Sequence, residues 1–335
     1  MTTIIGTGEH ATPAQVRTNL STDPRATNAA RWSIVFGTGG AGTETMVTGA
    51  SDGPVLPDGT QATTYARYTW TTANTGGIPY VEYVGSNAET HNTPVGTPVA
   101  MGVYVRCSVT RDGRHRGFGF NQANAVVWSS STPPATSLPA GVWVRVGTLF
   151  ATTSATDVMD YFFNRVEFIS QIMPIGTTLD VTCALIEPGA TAVPDHYDGA
   201  LTDTVEWDFA WTGAANASTS TATRRRTVEP LSVLTPGHAR TARTITHDVL
   251  GERTDPDVTL RTATTRQGTL ELFFDVEADA LEADAMHSGA LVMTLVDDVN
   301  PAKSMTYVTT GGEVETRREI PHARWIVTAP YREVL

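Results

Sequence analysis

The run AMGVYVRCSV, residues 100–109, sets Val103, Val105, Cys107 and Val109 between Tyr104, Arg106 and Ser108. A period of two sends alternate side chains to opposite faces, which fits a half-buried strand and no helix. Runs of the same kind recur at residues 31–36 (RWSIVF), 63–71 (TTYARYTWT), 142–150 (VWVRVGTLF) and 179–187 (LDVTCALIE). Between them lie GTGGAGT, SDGPVLPDGT and STPPATSLPAG, the Gly, Pro and Asp clusters that make turns. No long helical stripe interrupts the first 195 residues. The pattern predicts a mainly β protein whose N-terminal part is a β-sandwich.

Composition agrees with this. A chain of 335 residues favours two domains, and 40% apolar residues suffice for cores in both. Only 17% are charged, and Thr, which suits a pleated surface, is abundant. Lys303 is the sole lysine, so the basic residues are otherwise arginine, as in a GC-rich coding sequence. The net charge of −12 argues against a nucleic-acid grip, which needs clustered cations. An acidic surface lining a channel would instead let nucleic acid pass without sticking. The first residues, MTTIIGTGEHATPAQVR, carry no secretory pattern, and no stretch is apolar for the roughly 20 residues that span a membrane. Cys107 and Cys183 are therefore expected as reduced, buried thiols.

Residues 228–335 read differently. Strands are predicted at 257–262, 268–274, 290–296, 304–309 and 324–331, around a helix over 275–289. Asp275 is its expected N-cap, Gly289 its C′ residue, and Ala278, Leu281 and Ala285 its buried face. Asp275, Glu277, Asp279, Glu282 and Asp284 then form an exposed acidic surface. The outline β–β–α–β–β–β predicts a small α+β domain.

Motifs with a mechanism are few. GTGGAG at 37–42 has the spacing of a dinucleotide loop, but TETMVTGASDGP follows it, with no helix to hold a pyrophosphate. It reads as a plain loop. His247-Asp248 and Asp255-Pro256-Asp257 suit a turn better than a metal site, and His287 suits a satisfied helix end. No nucleophile elbow, zinc helix, P-loop or calcium loop occurs, so no catalytic residue, metal or cofactor is assigned. The run RDGRHRGFGFNQ, 111–122, offers Arg111, Arg114, Arg116 and Phe118 as a candidate carbohydrate grip, or else a hairpin loop with solvated arginines.

Asn19-Leu20, Asp23-Pro24 and Trp32, then Tyr104-Val105-Arg106, Trp143-Val144-Arg145 and a final strand ending Glu187-Pro188-Gly189 come in a familiar order. Residues 19–196 resemble the carbohydrate-binding, galactose-binding-like jelly rolls of phage tails and bacterial glycan hydrolases. Those jelly rolls often hold a structural calcium through an Asp, where this chain has Thr182. The segment YDGALTDTVEWDFAWTGAANASTST and residues 228–335 resemble minor tail proteins of long-tailed phages from high-GC Gram-positive hosts. The resemblance implies four parts: an N-terminal arm (1–18), the jelly roll (19–196), an aromatic joint and linker (197–227) and a ring-forming assembly domain (228–335), a β-sandwich or split barrel with one helix. It implies that Trp207, Phe209 and Trp211 anchor the joint. It further implies a non-enzymatic virion protein at the distal tail or baseplate, forming a homo-oligomeric ring with tail tube, tape measure and baseplate hub as partners. DNA would pass its lumen, and the jelly roll would meet host-surface glycan or neighbouring tail proteins. The alternative is a carbohydrate-binding accessory protein, or a glycan hydrolase with an unrecognised site.

Overall fold

The structure is a computed structural model. It describes every residue except 1–2, 13, 87, 131–132, 170, 235–237, 240–242, 248–256, 262–264, 320–323 and 335. Asp248, Asp255 and Pro256 of the turn read above thus lie outside the described residues. The chain divides into two compact units: residues 16–202 with 208–223, and residues 1–15 with 203–207 and 224–335.

The first unit is a jelly-roll sandwich of antiparallel strands. One sheet runs in the order Thr136–Leu138, Arg111–Phe120, Tyr161–Glu167, Tyr80–Val84, Trp32–Val35, with Val126–Ser129 also paired to Arg111–Phe120. The other runs Val144–Phe150, Val99–Cys107, Thr178–Pro188, Thr64–Thr72, Ala41–Thr48. All five alternating runs of the first 195 residues lie on these strands. Their inward residues, among them Trp32, Tyr68, Trp70, Met101, Val105, Trp128, Phe162 and Leu179, share one core. Cys107 and Cys183 are buried, unpaired thiols.

Polar side chains stitch this core where apolar ones could not. His115 donates from Nε2 to Asn164 Oδ1 at 2.6 Å and accepts at Nδ1 from Thr148 Oγ1 at 3.1 Å. Asn164 Nδ2 donates to the carbonyls of Gly102 and Leu185 on the facing sheet. Burial pushes the His115 imidazole down to about 4, so it sits neutral. The opening motif is structural too. Asn19 donates to Ala184 O and Tyr197 O, while Asp23 accepts from Thr27, Asn28 and the Trp32 indole. GTGGAG is a loop, with Gly37 and Gly39 in the left-handed region, and it leads into the strand Ala41–Thr48.

The second unit is α+β. Its sheet runs from residues 224–228 through Thr3–His10, Val292–Asp297, Met305–Thr309, Arg324–Glu333 and Gln267–Phe274 to Ser232–Leu234. The helix Glu277–Ser288, the one α-helix among the described residues, packs on Arg324–Glu333 and Gln267–Phe274. Ile5, Leu272, Phe274, Met286, Leu295 and Tyr307 lie in its core. Glu315–Glu319 pairs with Arg324–Glu333, and Arg243–His247 pairs with Asp257–Arg261. Asp257–Arg261 and Arg324–Glu333 were expected; Glu315–Glu319, Arg243–His247 and the short strands at Ser232–Leu234 and His238–Ala239 were not.

Three expectations change. The 1–18 arm is no arm: Thr3–His10 is an inner strand of the second unit, and Val16–Asn19 is a strand of the first, paired with residues 220–223. The 197–227 joint contains two neighbouring strands, Trp207–Trp211 and Ser220–Val228, closed by Thr212 N donating to Thr219 O. The helix is rotated from its expected face. It buries Ala280, Ala283, Met286 and His287, leaves Leu281 exposed, is entered by Val276 rather than Asp275, and ends at Gly289 with an extended φ of −79°. So many of its positions are alanine that two faces carry the same spacing. Met286 and the His287–Tyr307 hydrogen bond, 2.9 Å, favour the observed one.

Candidate functional site

RDGRHRGFGF forms a strand, not a loop. Its odd residues from 113 to 119 are buried, and three of the four are glycine. A Cβ at Gly117 would lie 2.9 Å from both Met101 Sδ and Trp128 Cη2, and one at Gly119 would lie 2.7 Å from Met159. Glycine is thus required inward by the packed core beneath. From 113 to 120, every large side chain except His115 is left on the other face: Arg114, Arg116, Phe118 and Phe120.

The neighbouring strands continue this face. Across from Arg114, Arg116, Phe118 and Phe120 stand Glu167, Arg165, Phe163 and Tyr161. Beyond them stand Tyr80, Glu82 and Val84. The face has an aromatic half and a charged half. In the aromatic half Phe120 stacks on Tyr161 at 4.9 Å and leans on Phe163 at 4.4 Å, while Tyr161 Oη donates to Asn124. In the charged half Arg165 donates to Glu82 at 2.7 Å and to Glu167 at 3.4 Å, and Arg116 donates to Glu167 at 3.4 Å. The Arg165 guanidinium lies 3.8 Å from the Tyr80 ring centre and 4.5 Å from that of Phe118, with Arg116 4.9 Å from Phe118. Burial pushes the Glu82 carboxyl above its ordinary range against the pull of Arg165. A groove of about 470 Å³ opens beside the aromatic half, lined by Ala30, Arg31, Gly85, Ser86, Asn124, Tyr161 and Phe163. Tyr161 is buried, but the partly exposed rings of Phe118, Phe120, Phe163 and Tyr80, beside fixed guanidiniums and carboxylates, suit a ligand with apolar faces and polar edges.

The structure brings Arg114, Arg116 and Phe118 together here. Arg111 falls in the opposite parity, and its guanidinium donates to the Thr110 and Ile172 carbonyls. Sequence reasoning missed Phe120, Tyr161, Phe163, Arg165, Glu82, Glu167 and Tyr80. The alternation in YFFNRVE was the available signal, and pairing with the arginine strand could not be read locally.

Asp275, just before the helix, and Glu277 and Asp279 on it are exposed. Glu282 instead accepts from Arg226 Nε, and Asp284 from Thr316 and Ser288. The linker arginines are engaged as well: Arg226 pairs with Glu282 and Glu9, and Arg225 with Asp203. Of the expected anchors, Phe209 and Trp211 belong to the first unit and Trp207 to the second. Phe209 lies 6.4 Å from the Tyr197 ring, and Gly199 fits against Trp211 because a Cβ there would come within 2.6 Å of the indole.

A second ionisable cluster is sealed in the same unit. Arg25 donates twice to Asp198, at 2.6 and 2.9 Å, and His196 pairs with Asp198 at 3.0 Å. Burial alone would lower the His196 imidazole, but Cys183 and Asp198 outweigh it and raise it to about 9. Burial would also raise the Asp198 carboxyl, but His196 and Arg25 hold it far below its usual range. Thr182, at the position of the resemblance's calcium Asp, donates to Thr64 O. Asp198 is already held by Arg25 and His196, and these groups do not fit a calcium ion. Among the described residues no cluster of three or more His, Cys, Asp and Glu could hold a metal, and no helix is long and apolar enough to cross a membrane.

No family model matches the chain, and no curated protein matches it. Solved structures similar to it include the enzymatically active domain of bacteriophage CBA120 tailspike protein 4, at 11% identity and a TM-score of 0.35. That match covers 51% of this chain and 21% of the tailspike chain, about a fifth of its length. The CBM22-1 xylan-binding domain of Paenibacillus barcinonensis Xyn10C matches at 11% identity and a TM-score of 0.32, over 52% of this chain and 94% of that one. The family 11 carbohydrate-binding module of Clostridium thermocellum, in complex with a β-1,3-1,4-mixed-linked tetrasaccharide, matches at 9% identity and a TM-score of 0.34, over 52% and 96%.

Proposed function

We propose that this protein is a non-catalytic structural protein of a phage tail whose jelly roll presents the Arg114–Phe120 face to glycan. The observation that carries the glycan reading is the face itself, a row of phenyl and phenol rings continued by guanidiniums and carboxylates. Glu82 and Glu167 are both held by arginines, which suits gripping hydroxyl groups better than supplying a free general acid. The tail assignment rests on the order of sequence motifs along the chain. In this reading it is a virion protein of the distal tail or baseplate, a minor tail protein. The second unit makes the assembly contacts with other copies in a ring and with the tail tube, tape measure and hub. The exposed acids Asp275, Glu277 and Asp279 keep passing DNA from adhering.

Glycan-array binding by the whole chain tests the face. Phe163→Ala is expected to lower affinity roughly 5- to 150-fold, since losing one stacked ring removes on the order of 1–3 kcal/mol. Binding that Phe163→Ala and Phe120→Ala leave unchanged would remove the face from the function. Turnover of a bound glycan would move the reading to a hydrolase. Light scattering with negative-stain imaging tests assembly, for which closed rings are expected.

A further inference from the structure

We infer that the ligand of this face is an anionic glycan, its rings lying on Phe118, Phe120 and Phe163 and its acidic group meeting Arg114 and Arg116. The inference rests on the reading above and deepens it to a ligand class. Three guanidiniums, Arg114, Arg116 and Arg165, share the face with two carboxylates, Glu82 and Glu167, and Asp112 has the same parity at the exposed start of the strand. Glu82 and Glu167 are both spent on Arg165 and Arg116. Arg114 stands directly across from Glu167 in register, yet forms no ion pair among the described residues. It is half-buried, so it has lost part of its hydration without gaining a counter-charge, a cost that an incoming anion would reverse.

Geometry adds the sugar. Alternate residues of a strand lie about 6.7 Å apart, so residues 114 to 120 make one row of about 20 Å, cations at one end and rings at the other. Guanidiniums accept carboxylate or phosphate in bidentate fashion, and the rings accept the apolar face of a pyranose. A neutral glycan would leave Arg114 unanswered, and an acidic peptide would leave the rings without a flat partner.

Calorimetric titration of the whole chain decides this, with four probes: an oligogalacturonate, a phosphomannan fragment, cellohexaose and poly-L-glutamate. One acidic glycan is expected to bind at least tenfold more tightly than cellohexaose, with affinity falling as salt rises. Which of the two does so separates carboxylate from phosphate. Arg114→Gln should lower that affinity five- to tenfold and weaken its dependence on salt, and Arg114→Lys should do less of both. Equal affinity for cellohexaose would overturn the anionic class while leaving a glycan-binding face. Equal affinity for poly-L-glutamate would overturn it in favour of a plain cationic patch. Binding of no glycan at all would overturn the glycan reading as well.

Discussion

His115 and His196 are both sealed inside the jelly roll, yet their environments shift them in opposite senses. His115 is held neutral, pushed down to about 4, so folding favours its unprotonated form. Its contribution is full above the ordinary 6.5 and is lost as pH falls toward 4. His196 is raised to about 9, so its contribution is full below the ordinary 6.5 and is lost as pH climbs through 9. Asp198, depressed by His196 and Arg25, adds a further loss below its ordinary 3.8. Each histidine shift corresponds to on the order of 3 kcal/mol at full extent. Thermal midpoints are therefore expected to peak near pH 6.5 and fall on both sides. His196→Gln should flatten the alkaline limb while lowering the maximum. A wild-type midpoint constant from pH 5 to 9 would contradict both assignments. Neither role was legible in the sequence, because a histidine reads alike in every setting until its partners are known.

Strand edges carry the next consequence. Ala41–Thr48 ends the five-stranded sheet, and among the described residues it pairs only with Thr64–Thr72. It holds no Pro or Lys, the usual guards of an edge. Its guard is Glu44, which stands opposite the buried Tyr68 on the core side, two residues from Met46. Partial burial raises the Glu44 carboxyl, so docking a second strand over it would cost desolvation. Glu44→Val is expected to convert a well-behaved chain into one that self-associates, seen as a concentration-dependent rise in mass by light scattering. An unchanged mass would mean that the edge is guarded by something else. At this scale the sequence was most informative, since period-two runs name their own inward residues. Where glycine replaces the inward apolar residue, as in RHRGFGF, the alternation is hidden, and the strand passed for a possible loop. In the helix the converse holds, since alanine on several faces gave the period but not the buried side.

At the scale of the whole molecule, the second unit is built from three separated stretches, with Thr3–His10 lying between residues 225–228 and Val292–Asp297 in its sheet. Ile5 is fully buried there, and Gly6 fits so tightly that a Cβ would come within 2.6 Å of Val205. A fragment of residues 228–335 alone, the expected assembly domain, therefore lacks an inner strand. It is expected to show no cooperative thermal transition, and fusing residues 3–10 to its C-terminus through a flexible linker should restore one. A cooperative transition in the bare fragment would make the first strand dispensable. The separation also explains why residues 1–18 read as an arm: a strand's partners are invisible locally when hundreds of residues intervene.

That same strand has a history during synthesis. Chains emerge at roughly 5–20 residues per second, so Thr3–His10 is out for on the order of 15–60 s before its second neighbour, Val292–Asp297, exists. The whole intervening jelly roll, residues 16–202 and 208–223, emerges within that interval. Through all of it TIIGTGEH is a waiting edge, protected chiefly by being short, polar at one end and rich in Thr and Gly.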